Sequence, residues 1–137
     1  AAVEGMKELI SDLDFDKLAA IESRGFVFGG PLGLGLAKPL ALLRKAGKLP
    51  SATRSVTYSL EYGEATLEAH VDSFEPGDRV LIVDDLLATG GSALASARLV
   101  GESGAEVVGF LFLVELDFLE GRQHLTAMAP VFSLVNY

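Results

Sequence analysis

The stretch Val80 to Ser92, V-L-I-V-D-D-L-L-A-T-G-G-S, constrains what this chain can fold into more than any other segment. Its apolar run Val80 to Val83 follows the turn-forming Glu75-Pro76-Gly77-Asp78, the pattern of a strand buried on both faces of a parallel sheet. Asp84 and Asp85 are expected at the carboxyl end of that strand, ahead of Ala88-Thr89-Gly90-Gly91-Ser92 and a helix beginning near Ala93. An acidic pair, a glycine turn and a helix N-terminus in that order suit a ribose phosphate. Gly90 and Gly91 leave room for backbone N–H groups to turn toward a phosphate. Thr89 and Ser92 add hydroxyl donors, and Ser92 is placed to cap the helix whose N-terminal dipole favours an anion. Asp84 and Asp85 carry the wrong charge for phosphate. They suit the 2' and 3' hydroxyls of a ribose, directly or through Mg²⁺, because ionised carboxylates only accept hydrogen bonds.

A solvated acidic pair, or the phosphoacceptor site of a receiver-type domain, reads the same as far as the two aspartates, and T-G-G-S separates the readings. The segment lacks the Gly-Lys-Ser/Thr of a Walker A loop and is not a G-x-G-x-x-G dinucleotide turn.

The 137 residues, half of them hydrophobic, fit one domain with a working core, expected over residues 1–137. With no cysteine there is neither a disulfide scaffold nor a cysteine-based zinc site. No apolar run approaches the roughly 18 residues of a membrane span, and a soluble cytoplasmic domain is the expectation. A net charge of -8 argues against nucleic-acid or anionic-membrane partners. Arg24, Lys38, Arg44, Lys45, Lys48 and Arg54 nevertheless crowd one third of the chain, a sector that could accept a compact polyanion or simply form a solvated face.

In chain order, Ala1 to Ser11 reads as a helix with Val3, Met6, Leu9 and Ile10 on its apolar side. It begins without a cap and with Ala rather than Met, so the N-terminus is expected to be truncated or processed. Leu18 to Ile21 is a short strand delivering Glu22-Ser23-Arg24-Gly25 to the place where open α/β sheets bind ligands. Phe26 to Lys38 follows as a glycine-rich helix, whose Gly33-x-Gly35 is read as close packing on the sheet rather than nucleotide binding. Pro39 to Leu43 is the next strand, and Arg44 to Pro50 a loop. Val56 to Leu60 and Ala65 to Val71 read as a hairpin around Glu61-Tyr62-Gly63-Glu64, suited to a lid. Ala93 to Ser103 is a helix closed by Gly104, Val107 to Val114 a buried strand, and Val131 to Val135 the last strand. The alternation predicts an α/β fold: a mostly parallel central sheet flanked by helices on both faces, with a hairpin lid.

V-D-D-L-L-A-T-G-G resembles the phosphoribosyl pyrophosphate (PRPP) motif of the type I phosphoribosyltransferases, and is most similar to the version in the adenine phosphoribosyltransferase family. E-S-R-G-F at Glu22 to Phe26, R-K-A-G-K-L-P at Arg44 to Pro50, Y-S-L-E-Y-G at Tyr58 to Gly63, and V-E-L with G-R between Val114 and Arg122 extend the resemblance from about Leu18 onward. It implies a transferase that joins adenine to PRPP with Mg²⁺, giving AMP and pyrophosphate in purine salvage, commonly as a homodimer. Position by position, it implies that Ser23 and Arg24 lie in the pyrophosphate loop, approached by Lys45 and Lys48. It gives the ribose hydroxyls to Asp84 and Asp85, and the 5'-phosphate to Ala88, Thr89, Gly90, Gly91 and Ser92. Glu61 is implied as the acid/base residue at the purine and Leu116 as an apolar wall of the base pocket, while Arg24 joins Glu61 in catalysis by stabilising the leaving group. Any Mg²⁺ is expected to arrive mainly on the substrate, near Asp84 and Asp85.

The family resemblance also implies a hood over the base, from a segment ahead of the first helix that this sequence does not contain. Phe26 and Phe28 fall in a helix and are expected in the core or a subunit contact, and an exposed apolar strip is expected where the hood would pack. Two other readings stay open at this point: a phosphoribosyltransferase for another purine base, and a noncatalytic PRPP- or nucleotide-binding module.

Overall fold

The computed structural model describes residues 2–45, 53–60 and 63–137. At its centre is the segment singled out above. Strand β5 (Arg79–Leu87) lies between β1 (Lys17–Ile21) and β6 (Glu106–Glu115), parallel to both. Outside these, β2 (Leu40–Lys45) runs parallel to β1, and β7 (Val131–Asn136) parallel to β6. A hairpin of β3 (Thr53–Leu60) and β4 (Gly63–His70) completes a seven-stranded sheet of order β3-β4-β2-β1-β5-β6-β7. This is the expected α/β fold. The hairpin joins β2 antiparallel through Arg44↔Glu68 and Lys45↔Leu67, at the carboxyl end of that strand.

Alternation along β5 explains why helices cover both faces. Leu81 and Val83 pack with Leu18 and Leu111 against α1 (Ala2–Leu9) and α2 (Arg24–Leu36), through Met6 and Leu32. Val80 and Ile82 point the other way, into a cluster with Phe110, Phe112, Leu99 and Val100, the last two on α3 (Gly91–Glu102). Val80 to Val83 are fully buried, and each such side chain contributes roughly 1.5–3 kcal/mol to folding. α4 (Arg122–Leu125) adds Leu125 to the α3 side.

Glycines let α2 lie close on the sheet. A Cβ at Gly29 would sit 2.7 Å from the Ala20 Cβ, and one at Gly33 3.1 Å from the Lys38 carbonyl oxygen. Gly33 therefore serves packing, as expected, whereas Gly35 is exposed. Phe28 packs on the same cluster, and Phe26 is half-buried with the Arg44 guanidinium 5.7 Å from its ring centre.

Several boundaries differ from expectation. β5 does not stop at Val83 but continues through the aspartates to Leu87, because β6 is long enough to keep pairing: Asp84↔Phe112, Leu86↔Val114, Leu87↔Glu115. β2 likewise runs on to Lys45, so Arg44 and Lys45 are strand residues held by β4 rather than loop residues. α2 begins at Arg24, ahead of Phe26. Leu9 is 36 % exposed, because the buried place past the end of α1 goes to Ile10. α3 starts at Gly91 with Gly90 in the cap position and no side-chain cap, so Ser92 lies inside the first turn and does not cap the helix. Gly104 follows α3 with φ +82, the left-handed closing residue expected there.

Candidate functional site

Unequal strand lengths create the site. β1 pairs with β5 only as far as Val83, whereas β6 accompanies β5 to its end, so among the described residues Asp84 to Leu87 have no strand neighbour on the β1 side. The start of α2 fills that side. A Cβ on Gly25 would lie 3.0 Å from the Val83 carbonyl oxygen and 3.2 Å from Asp84 Oδ1, so glycine lets this helix turn approach the carboxylate without crowding it. Asp84 Oδ1 accepts the Asp85 backbone N–H at 2.8 Å. Burial, aided by the neighbouring Asp85 carboxyl, nevertheless pushes the Asp84 carboxyl up to about 7. Asp85 Oδ2 lies 3.0 Å from Arg24 Nε, on a side chain that is 73 % exposed and so free to turn toward another anion.

Beyond the aspartates, Ala88 to Gly91 curl around a cavity of about 90 Å³, roughly three water volumes and enough for a phosphate group. Gly90 has φ +90, and its carbonyl accepts the Leu94 N–H at 2.9 Å to start α3. The N–H groups at the start of a helix are suited to an anion, and those of this first turn face the end of the chain segment expected to hold a phosphate. The Ser92 hydroxyl lies 3.3 Å from the Tyr58 hydroxyl of β3, linking the hairpin to the turn.

A second cavity, about 340 Å³, adjoins the first and shares Asp84, Leu86 and Ser92 with it. Arg24, Lys45, Asp85 and Tyr58 line it, together with Glu22. Glu22 Oε1 accepts the Lys45 backbone N–H at 2.9 Å and Arg44 Nε at 3.3 Å, tying the end of β2 to the start of α2. Arg44 is thus engaged structurally between Glu22 and Phe26, while the Lys45 side chain is exposed in the cavity wall.

The fold therefore brings Arg24, Lys45, Asp84, Asp85 and Ala88 to Ser92 into one continuous groove. Ser23 stands exposed at the cap position of α2 and makes no side-chain cap bond. Leu116 lines neither cavity; it is half-buried just past β6, its N–H donating to the Leu87 carbonyl at 2.9 Å. Phe118 and Tyr137 are each 72 % exposed, and the Tyr137 carbonyl accepts the Asp117 N–H at 2.8 Å. Lys48 and Glu61 lie outside the described residues. Among the described residues no three His, Asp or Glu side chains converge to cage a metal. Two carboxylates, Asp84 and Asp85, fit a Mg²⁺ that brings most of its oxygen ligands on a substrate.

Sequence reasoning set Glu22 and Gly25 at the ligand end of β1 and Tyr58 and Gly121 within family motifs, but gave none of the four a role of its own. Tyr58 carried a detectable signal, since it stands on the lid strand three residues before Glu61. Gly121 stood only in the G-R pair of the family resemblance; its physical reason is a contact with Ala88, for a Cβ there would lie 2.3 Å from the Ala88 carbonyl oxygen.

Comparison with known proteins agrees with this geometry. A family profile described as phosphoribosyl transferase domain matches residues 2–127. The adenine phosphoribosyltransferase of Rubrobacter xylanophilus is 53 % identical over 137 residues, all of this chain and 74 % of that protein. The crystal structure of adenine phosphoribosyltransferase from Thermoanaerobacter pseudethanolicus superposes with a TM-score of 0.96 at 46 % identity, covering 99 % of this chain and 78 % of that one. The Saccharomyces cerevisiae enzyme, solved with an imino-altritol bisphosphate and adenine, gives 0.88 at 40 % identity over 96 % and 76 % of the two chains. No described helix is long and apolar enough to cross a membrane. With an acidic pair, a glycine turn and two cations converging at the carboxyl edge of a sheet shared at this identity, the chain belongs to the adenine phosphoribosyltransferase family of the phosphoribosyl transferases.

Proposed function

We propose that this protein transfers the 5-phosphoribosyl group of PRPP to adenine, releasing pyrophosphate and forming AMP. The observation that carries the reading is one groove with three chemistries in the right order: the Ala88 to Ser92 turn for a monophosphate, the Asp84 and Asp85 carboxylates for ribose hydroxyls, and the Arg24 and Lys45 cations for a diphosphate. In the reaction the bond from the anomeric carbon to the pyrophosphate oxygen breaks and a bond from the purine nitrogen to that carbon forms. Negative charge collects on the leaving group, where Arg24 and Lys45, joined by Lys48, stabilise it. Positive charge develops on the sugar ring beside the two carboxylates, which hold the hydroxyls and favour the cationic ring. Asp84 and Asp85 are the residues that would hold Mg²⁺, which would supply charge neutralisation at the substrate's phosphates.

Glu61, in the motif carried over from the family, accepts or relays the proton that leaves the purine nitrogen, work a carboxylate does when held within hydrogen-bond reach. Ser23 belongs to the pyrophosphate loop, and Leu116 forms an apolar wall for the base. Homodimer formation and cytoplasmic residence rest on the family resemblance, and gel filtration with light scattering tests the first.

The deciding experiment is AMP formation from adenine, PRPP and Mg²⁺, with hypoxanthine and guanine in parallel. Turnover with adenine alone is expected. Turnover with another base in its place would reassign the base, and PRPP binding without turnover in a folded sample would leave a binding module. Glu61→Ala is expected to lower kcat more than it raises KM for PRPP, and an equal loss in both would reduce Glu61 to shaping the lid.

A further inference from the structure

We propose that the Gly121–Arg122 turn, clamped by Glu115, is a buttress that sets the shape of the Ala88 to Gly91 phosphate loop, making Gly121 and Arg122 positioning residues for the sugar phosphate. This rests on the functional reading above and deepens it. The turn and the loop meet backbone to backbone. A Cβ at Gly121 would lie 2.3 Å from the Ala88 carbonyl oxygen and 3.0 Å from the Thr89 carbonyl carbon. Reciprocally, a Cβ at Gly90 would lie 2.9 Å from the Gly121 carbonyl oxygen. Gly121 has φ -60 and ψ -31, a conformation any residue adopts, so its backbone does not require glycine; the contact does. Gly90 is constrained twice, by φ +90 and by that same contact.

The turn is not free to yield. Arg122 Nε donates to Glu115 Oε2 at 3.0 Å, and its Nη1 donates to the Val131 carbonyl at 2.7 Å. Glu115 is 3 % exposed and also accepts from the Ser133 hydroxyl at 2.9 Å and from Asn136 Nδ2 at 3.3 Å. Glu115 stands opposite Leu87 in the pairing of β6 with β5, and the Leu116 N–H binds the Leu87 carbonyl. The path from Leu87 across to Glu115, through Arg122 to Gly121 and back onto Ala88 is therefore a closed ring. Ala88 follows Leu87 directly, so the phosphate loop is pinned at its root and pressed from outside at its first turn. Leu116, the expected base wall, lies within the same ring. Distortion at Gly121 should thus reach the 5'-phosphate end of the groove before the diphosphate end, which Arg24 and Lys45 build from other elements.

The test is binding of ribose 5-phosphate and of pyrophosphate, each by calorimetry, to wild type and to Gly121→Ala, with kinetics alongside. The added methyl must displace the loop. Ribose 5-phosphate affinity is expected to fall about tenfold, which is about 1.4 kcal/mol, while pyrophosphate affinity stays within about twofold. KM for PRPP should rise by a similar factor with kcat nearly unchanged. If Gly121→Ala does not fold, Arg122→Lys decides, because lysine keeps the charge toward Glu115 but cannot span both Glu115 and Val131. About a threefold loss for ribose 5-phosphate alone is expected of it. Unchanged ribose 5-phosphate binding, or a parallel loss of both ligands, overturns the inference. Wild-type protein that binds neither ligand overturns the functional reading itself, which is a separate result.

Discussion

Asp84 and Glu115 are acids near the carboxyl ends of neighbouring strands, and their surroundings are opposite. Glu115 is the less exposed to solvent, at 3 %, and its carboxyl is held below the usual range, first by the Arg122 guanidinium and then by Ser133 and Asn136 against the cost of burial. Asp84 has one backbone N–H, from Asp85, and a second carboxylate beside it, and burial drives it up to about 7. Solvent exposure alone therefore does not decide the fate of an acid: burial wins at Asp84, where partners are few, and the Arg122 partner wins at Glu115. At Glu115 the sheet edge has compensated its charge and gained a fixed turn. At Asp84 it has left charge under-compensated where a ligand's hydroxyls or a cation can complete the shell, the usual mark of a site shaped for binding rather than stability.

The largest effect that would break this contrast is at the aspartates. Asp84→Asn with Asp85→Asn should lower PRPP affinity by about a hundredfold, the loss expected for two charge-assisted hydrogen bonds. The fold should stand, and Asp84→Asn alone should gain roughly 1–2 kcal/mol of stability at pH 8, since a buried charge is removed. A loss of PRPP affinity below about tenfold in the double variant would remove the ribose assignment. Next in size, Glu115→Gln should cost roughly 2–3 kcal/mol in urea unfolding, because Arg122 is left without its counter-charge. If Glu115→Gln instead left stability intact and weakened PRPP as severely as the aspartate pair, Glu115 would belong to the ligand shell and the contrast would collapse.

Much of this was legible beforehand, and what was not has physical causes. V-L-I-V-D-D followed by T-G-G-S gave the central strand, the acidic pair and the turn, because each residue there answers a local demand of burial, charge or backbone geometry. The extension of β5 through Leu87 was not legible, since it depends on the length of β6, a partner distant in sequence. For the same reason Arg44 and Lys45 read as loop residues: their pairing with Glu68 and Leu67 is set by the hairpin. Ser92 looked like a cap because serine favours that place, but Gly90 adopts the left-handed conformation and starts the helix earlier. Gly25 and Gly121 have no local reason to be glycine. Their reasons are Asp84 and Ala88, across the fold.

A smaller effect sharpens the contrast through pH. The folded-state pKa of Asp84, about 7, lies above its ordinary 3.8. Its contribution to stability is therefore complete below about pH 4 and is lost as pH rises to about 7. Glu115 runs the other way: its folded pKa is below the ordinary 4.5, so its contribution is present above that value and lost as pH falls through the folded pKa. Asp16, lowered mainly by its hydrogen bonds with Arg79, and Asp78, lowered mainly by Lys17, add to the acid-side loss. Thermal melts from pH 3 to 9 should then show Asp84→Asn removing the decline between about pH 4 and 7, and Glu115→Gln flattening the acid limb instead. Identical profiles for the two variants would mean that the acids do not titrate in opposite senses.

The smallest effect concerns how the hairpin joins the pliable side of this edge. Tyr58 and Ser92 meet at 3.3 Å, a long bond beside the Arg122–Glu115 contact at 3.0 Å, and either hydroxyl can donate. Such a pair holds the hairpin near the phosphate turn but releases it cheaply, at about 0.5–1 kcal/mol. Tyr58→Phe should therefore weaken PRPP binding only about two- to fivefold, and Ser92→Ala somewhat more, because it also takes a donor from the phosphate turn. The double variant should lose less than the sum, by about 0.5–1 kcal/mol of coupling. Strict additivity would show that the hydroxyls act separately, leaving the Gly121 buttress as the contact that shapes the turn while the hairpin moves independently of it.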